Sequence, residues 1–445
     1  MKIYKPKYIV SGHTILREHC IIVDGETILA VCPQDECSSY TQGKEAIVIE
    51  CGDLVFIPGT VNVHNHSFQS LLRGIAADRP FLEWRDRSLY HYSPKMNTED
   101  IYTGALFAFA EMMKRGVTCV SDFFYLHNFG MDSDEAVIRA AKDIGIRLVL
   151  ARTMYDWNGA PSGYVETISQ AVSHTKALYH KYRDDQMVSI LPAPHSLHAA
   201  TPEMIVAGHH LAKELGTKFH IHVAEEPFEV EETKKAHNGL TTIEYLDQLG
   251  VVDSSMVIIH GVWLKESEIR LLGEKGGNLA YCPSSNMFLA DGITNIPLMM
   301  SSGVTIGLGS DGACSNNRIS VFEEMRMVSI LQKAKTCDAM CINYQQAFDM
   351  GTQNGGKILD LPIGLIKEGY KADFVGIDLN DLSMMPLSEN LEQLLPNIVY
   401  SMEPSAISLV VVNGDETVKD KKLVKTPEAA VAEKVRKTME HLSHE

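Results

Sequence analysis

From residue 55 onward, runs of consecutive apolar, β-rich residues alternate with segments whose apolar positions recur at helical spacing. The runs cover residues 55–66, 117–125, 147–154, 188–195, 218–225, 256–263, 278–285 and 304–311. Between them, residues 100–114 place Ile101, Ala105, Ala108 and Met112 on one face. Residues 201–215 open with Thr201-Pro202-Glu203, a cap followed by proline at the first helical position. Residues 265–274 and 320–335 behave similarly. Continuous apolar strands separated by helices predict a parallel sheet buried on both faces. Eight such units predict a (β/α)8 TIM barrel; an open doubly wound sheet seldom carries eight parallel strands in a row.

Outside this series the pattern is that of short strands. Residues 8–10, 19–23, 27–32 and 46–51 are β-like, separated by the turn signals Asp24-Gly25 and Gln42-Gly43. After about residue 357 the β pattern returns: a turn and strand within 366–378, then a strand at 408–413 before Gly414-Asp415. The expected organisation is a small discontinuous β-sandwich from residues 1–54 and 358–425 and a barrel from 55–357. A C-terminal helix over 426–445 carries Val431, Val435, Met439 and Leu442 at helical spacing.

Composition narrows the function. The chain has 445 residues, 45% hydrophobic, with a formal net charge of −17 and no basic stripe. Nucleic acid and anionic membranes are therefore not expected partners. No apolar run is long enough to span a membrane, and the N-terminus does not resemble a signal peptide. Nine scattered cysteines without a Cys-x-x-Cys pair suggest reduced thiols in a cytoplasmic protein. A homo-oligomer, dimer or tetramer, acting on a small molecule is the expected form.

The chemistry gathers at the strand ends, where barrels of this kind place their active sites. The first strand ends in His64-Asn65-His66, and residues i and i+2 of a strand share a face, so both imidazoles project together. The second run ends near Asp122, Tyr125 and His127, the fourth in His195-Ser196-Leu197-His198, the fifth in His220 to Glu226, the sixth in His260-Gly261 and the eighth in Ser310-Asp311. Of His220 and His222, the latter lies nearer the rim. Glu225 stands where the strand turns into its loop, placed to move a proton between an activated water and a leaving group. Three histidines (His64, His66, His222) and Asp311 with an open position describe a hydrolytic metal centre rather than a closed structural one. Gly307-Leu308-Gly309-Ser310-Asp311-Gly312 matches a dinucleotide fingerprint only formally, because it sits on the last strand and no βαβ unit follows.

At these residues the sequence resembles the amidohydrolase superfamily, in its cytosine deaminase-like and chlorohydrolase-like branch. The motifs are Pro58-Gly59 through His66, His222-Val223-Ala224-Glu225, His260 to Trp263, Cys282 to Asn286, and Gly309 to Ala313. The resemblance implies one divalent ion per chain, zinc or alternatively iron, on His64, His66, His222 and Asp311. It further implies Glu225 as proton shuttle and His260 as the group polarising the water or the tetrahedral intermediate. Binuclear members carry a carboxylated lysine at the end of the fourth strand; His195 stands there instead, which implies the one-metal deaminase type.

The expected substrate is a small planar N-heterocycle with an exocyclic amino group, lying among Gln69, Trp84, Arg85, Tyr125, His195 and His198. Gln69 both donates and accepts, as an amidine-like ring edge requires, and Trp84 and Tyr125 offer stacking faces. Gln69, Trp84-Arg85 and Pro194 to Leu197 resemble formimino-glutamate iminohydrolases, with Arg85 suited to a carboxylate, although His198 stands where those enzymes carry arginine. Leu72-Arg73-Gly74 and Ser315-Asn316-Asn317 to Arg326 resemble adenosyl-homocysteine and guanine deaminases. Expulsion of chloride or an amide at the same centre, and a catalytically inactive barrel, are the remaining alternatives.

Overall fold

The computed structural model describes residues 1–41 and 45–444; the Gln42-Gly43 turn signal lies outside them. Eight strands follow in the predicted order: Thr60–Asn65, Val117–Phe124, Arg147–Met154, Val188–Pro194, Phe219–Val223, Met256–His260, Asn278–Tyr281 and Thr305–Leu308. The second and third are buried at every residue, as strands are when helices cover one face and packed side chains fill the other. Strands one to four and five to eight form two parallel four-stranded sheets. The ladder is interrupted at both seams. Between strands four and five, the His222 N–H donates to the His195 carbonyl at 2.9 Å. Between eight and one, the Asp311 N–H donates to the His64 carbonyl at 3.1 Å. There the Asn62 side chain replaces a backbone rung, accepting from the Ser310 N–H at 3.0 Å and donating to Ser310 Oγ at 2.8 Å. Both seams are fastened by residues at or beside the predicted metal ligands.

The run over residues 55–66 is not one strand. Leu54–Pro58 lies between Tyr8–Ser11 and Phe374–Asp378 in a separate seven-stranded sheet. The division falls at Gly59, where a Cβ would lie 2.1 Å from Thr118 Oγ1; only glycine lets the chain cross so close to the second barrel strand. The seven-stranded sheet and a four-stranded one (Thr27–Pro33, His19–Asp24, Lys2–Lys5, Ile47–Glu50) together draw strands from both ends of the chain. Tyr4, Phe56 and Phe374 join these segments: Phe56 and Phe374 stack at 5.0 Å, and the Tyr4 ring lies 6.1 and 5.2 Å from them. All three are fully buried. Phe374→Ala is expected to cost about 3–5 kcal/mol, seen as a lowered thermal midpoint, while the folded fraction keeps its specific activity at room temperature.

Helices form where the caps predict them. Asn97 accepts from the backbone of Glu99 and Asp100 to start Thr98–Lys114, Thr201 caps Pro202–Leu215 and Ser320 caps Val321–Thr336. The last helix, Glu428–His444, buries Val431 and Leu442 and packs on Thr98–Lys114. Two short helices that the alternation did not predict, Phe81–Arg87 and Leu89–Tyr92, lie over the barrel mouth. Among the described residues no helix is long and apolar enough to cross a membrane. The expectation of nine reduced thiols needs correction. Cys20 and Cys37 are joined in a disulfide, because the short helix Cys37–Thr41 folds back on the strand carrying Cys20.

Candidate active site

Strand alternation brings His64 and His66 to the same side, as their spacing predicts, with both rings buried. The His66 Nδ1 meets the Phe123 carbonyl at 2.6 Å, and the His222 Nδ1 meets the His195 carbonyl at 3.1 Å. A carbonyl only accepts, so in both rings Nδ1 carries the proton and Nε2 presents its lone pair. Those Nε2 atoms converge. His64 Nε2 lies 3.3 Å from His222 Nε2 and 3.5 Å from Asp311 Oδ1, and His66 Nε2 lies 3.4 Å from the same oxygen. Ligands held at about 2.1 Å around a tetrahedral ion are separated by about 3.4 Å, so these four side chains fit a divalent metal.

The electrostatics agree. Burial, with the neighbouring His64, pushes the His66 imidazole down to about 3, and burial among His195, His64 and His260 holds His222 well below the ordinary range. Both rings are neutral, as metal binding requires. Burial alone would raise the Asp311 carboxyl, but the hydrogen bond from His64, with His66 and His260 beside it, holds it well below the usual carboxylate range. Its other oxygen accepts from Ser285 Oγ at 2.7 Å. The backbone is strained at this rim. Ala224 (φ +52°), His260 (φ +69°) and Asp311 (φ +57°) occupy the left-handed region, which costs of order 1–3 kcal/mol each and is commonest at functional sites.

Glu225 and His260 form the second half of the centre, with His260 Nε2 at 3.3 Å from Glu225 Oε1. Burial, reinforced by Asp291, Glu229 and Asp311, raises Glu225 well above the ordinary carboxylate range. Burial pushes His260 down to about 4. The Asn286 amide nitrogen lies 3.0 Å from His260 Nδ1 and 3.0 Å from Asp291 Oδ2. An amide N–H donating to Nδ1 leaves the neutral ring's proton on Nε2, aimed at Glu225. Asn286→Leu is therefore expected to lower kcat about 10–100-fold with metal content unchanged.

Every residue predicted for the site faces or backs one cavity. His66, His222, Glu225, His260 and Asp311 line it, with His64 fully buried behind them. Gln69 donates to Tyr125 Oη at 2.9 Å, while its Oε1 is buried against Gly312 without a hydrogen-bond partner. Trp84 is nearly buried, with its indole N–H on the Cys314 carbonyl at 3.1 Å; it walls the cavity more than it stacks. Arg85 pairs with Asp86 at 2.8 Å and lies on the Tyr90 ring at 4.5 Å, so its charge is already matched. His195 stacks on His222 at 4.8 Å, and His198 lies 3.5 Å from Glu229.

Several contributors escaped the sequence reading. Tyr155, Tyr164 and Phe228 complete an aromatic wall. The contact of Asn286 with His260 and the burial of Glu229 are two more. Glu229 is in fact buried, accepting from the Glu225 N–H at 3.2 Å. Its position four residues after Glu225, in the first turn of Pro227–Ala236, was the available signal.

Known proteins match this architecture along its length. The model of the Amidohydrolase family matches residues 55–417. A 5-methylthioadenosine/S-adenosylhomocysteine deaminase of Syntrophomonas wolfei is 34% identical over 406 residues, covering 90% of each chain. A 5'-deoxyadenosine deaminase of Methanosphaera stadtmanae is 33% identical over 380 residues, covering 85% of each. An adenosine deaminase from Xanthomonas campestris with bound zinc superposes with a TM-score of 0.91 at 25% identity, over 100% of this chain and 99% of that one. The zinc-bound atrazine chlorohydrolase of Arthrobacter aurescens, at 21% identity, shares the fold with a TM-score of 0.89 over 99% and 100%. With the family match running from the last strand before the barrel into the C-terminal sheet, this chain belongs to the amidohydrolase family.

Proposed function

We propose that this protein is a metal-dependent deaminase that hydrolyses the exocyclic C–N bond of a 6-aminopurine nucleoside and releases ammonia. The observation that carries it is the convergence of His64, His66, His222 and Asp311 beside the buried Glu225–His260 pair. These four ligands would hold one divalent ion, zinc by their nitrogen-rich tetrahedral set. Bound there, such an ion supplies Lewis acidity that brings the pKa of water toward neutrality.

The chain's own groups account for the proton movements. Protonated Glu225 donates to the ring nitrogen beside the reacting carbon. Once deprotonated, it takes a proton from the incoming water and passes it to the departing amino nitrogen, so ammonia leaves neutral. His260, fixed by Asn286, donates from Nε2 to the oxygen that becomes negative as water adds. Asp311 takes the water's remaining proton in passing, and that proton returns to Glu225, so both carboxyl groups regain their starting state. The aromatic walls of Tyr125, Tyr155 and Phe228 exclude water and flank a planar ring.

The purine choice rests on the deaminase names of the relatives. An ammonia-release screen tests it, over S-adenosylhomocysteine, 5'-deoxyadenosine, guanine, cytosine, a pterin, an aminotriazine and N-formimino-glutamate. The adenosine compounds are expected to turn over fastest. Activity on formimino-glutamate alone, lost in Arg85→Met, would overturn the choice.

A further inference from the structure

We propose that Cys20, Cys32 and Cys37 form a covalent thiol–disulfide exchange site in which Cys20 bonds alternately to Cys37 and to Cys32. The site lies in the four-stranded terminal sheet and takes no part in the barrel chemistry. Cys20 and Cys37 are joined, and the free Cys32 Sγ stands 3.6 Å from Cys20 Sγ. All three sulfur atoms lie within 4.8 Å of one another and all three residues are buried.

The strand register supplies the second bond. Cys20 and Cys32 are direct antiparallel partners in the hairpin of His19–Asp24 and Thr27–Pro33, and opposed cross-strand Cβ atoms lie about 4.5–5.5 Å apart, close to the span of a disulfide. In the exchange, the Cys32 side chain rotates to bring its sulfur in line with the Cys20–Cys37 bond, and its thiolate attacks Cys20 Sγ. The Cys20–Cys32 bond forms as the Cys20–Cys37 bond breaks, and the electron pair leaves on the Cys37 sulfur, which takes up the proton Cys32 gave up. One disulfide replaces another, so no oxidant or reductant is consumed. Exchange frees Cys37 and with it the short helix Cys37–Thr41 from its covalent tie to the sheet. Burial, with Glu36 and Asp35 close by, pushes the Cys32 thiol up, so the exchange is slow. The surrounding Ile3, Ile22 and Ala30 suit neutral sulfur atoms better than three thiolates around a cation.

The test is disulfide mapping of the folded, full-length protein after slow alkylation with iodoacetamide. Trypsin leaves all three cysteines on one peptide, between Arg17 and Lys44, so the digest uses a protease cutting after Glu26 and Glu36. Two wild-type populations are expected: Cys20–Cys37 with alkylated Cys32, and Cys20–Cys32 with alkylated Cys37. Cys32→Ser should keep Cys20–Cys37 and trap no alkyl group at Cys37. Cys37→Ser, treated with oxidised glutathione and folded by circular dichroism, should form Cys20–Cys32. Alkylation of Cys32 alone in the wild type, or two free thiols in Cys37→Ser, would overturn the proposal. So would an ion bound by the reduced protein and lost specifically in Cys32→Ser, which would make the cluster a metal site instead.

Discussion

Glu225→Gln is expected to lower turnover about 10²–10⁴-fold while metal and substrate binding persist. Glutamine keeps the shape of the side chain and its contact with His260, but it has no proton to deliver to the ring or to the leaving nitrogen. The structure makes this a sharp test, because the carboxyl is buried and pushed well above its ordinary range by burial and by Asp291, Glu229 and Asp311. The kcat should therefore collapse with little change in the dissociation constant of an unreactive ligand. Glu226→Gln is the control: Glu226 is only partly buried and stands at the start of the following helix with no capping bond from its side chain, so its loss should be mild. Activity of Glu225→Gln within tenfold of wild type would remove Glu225 from the shuttle role.

Asp311→Ala and His64→Ala should each abolish activity by emptying the metal centre. The wild type is expected to hold about one ion per chain at the barrel site, and either variant about tenfold less at the same metal concentration. Asp311 is the common neighbour of His64 and His66, at 3.5 and 3.4 Å. Its removal leaves two imidazoles with no carboxylate opposite them. Both variants should keep the wild-type circular dichroism, since His64 lies on one barrel strand and Asp311 beyond the last, leaving the other strands and the two terminal sheets untouched. Two ions lost together from the barrel, or a metal content unchanged by either substitution, would contradict the mononuclear centre.

The residues that the sequence made legible share one property: each stands at the end of an apolar run whose direction and alternation are local facts. Strand periodicity alone brings His64 and His66 to one face, puts His222 nearer the rim than His220, and ends the last strand in Asp311. Glu225 and His260 follow from the same counting. What stayed hidden depends on how separate elements meet. Asn286 matters because its helix, Pro283–Phe288, brings its amide to the His260 ring; the motif Cys282 to Asn286 marks the residue but not this contact. Glu229 looks like one more charge in an acidic run until the fold buries it under Glu225. The division at Gly59 was hidden because Leu54–Pro58 and Thr60–Asn65 are both apolar and β-rich; their different sheets are decided by distant partners, Phe374–Asp378 on one side and Val117–Phe124 on the other. The cysteines needed both the hairpin register and the fold-back of a short helix, neither of which their spacing encodes.

The central claim, a metal-dependent deaminase, is tested most directly by titrating metal-free enzyme with zinc while following ammonia release from 5'-deoxyadenosine or S-adenosylhomocysteine. Ammonia production is predicted to be absent without metal and to rise in proportion to the ion bound at the barrel site, levelling at about one equivalent. Ammonia release that persists undiminished in the metal-free enzyme, or zinc-dependent release of some other leaving group with no ammonia from any amino-substituted ring, would contradict it.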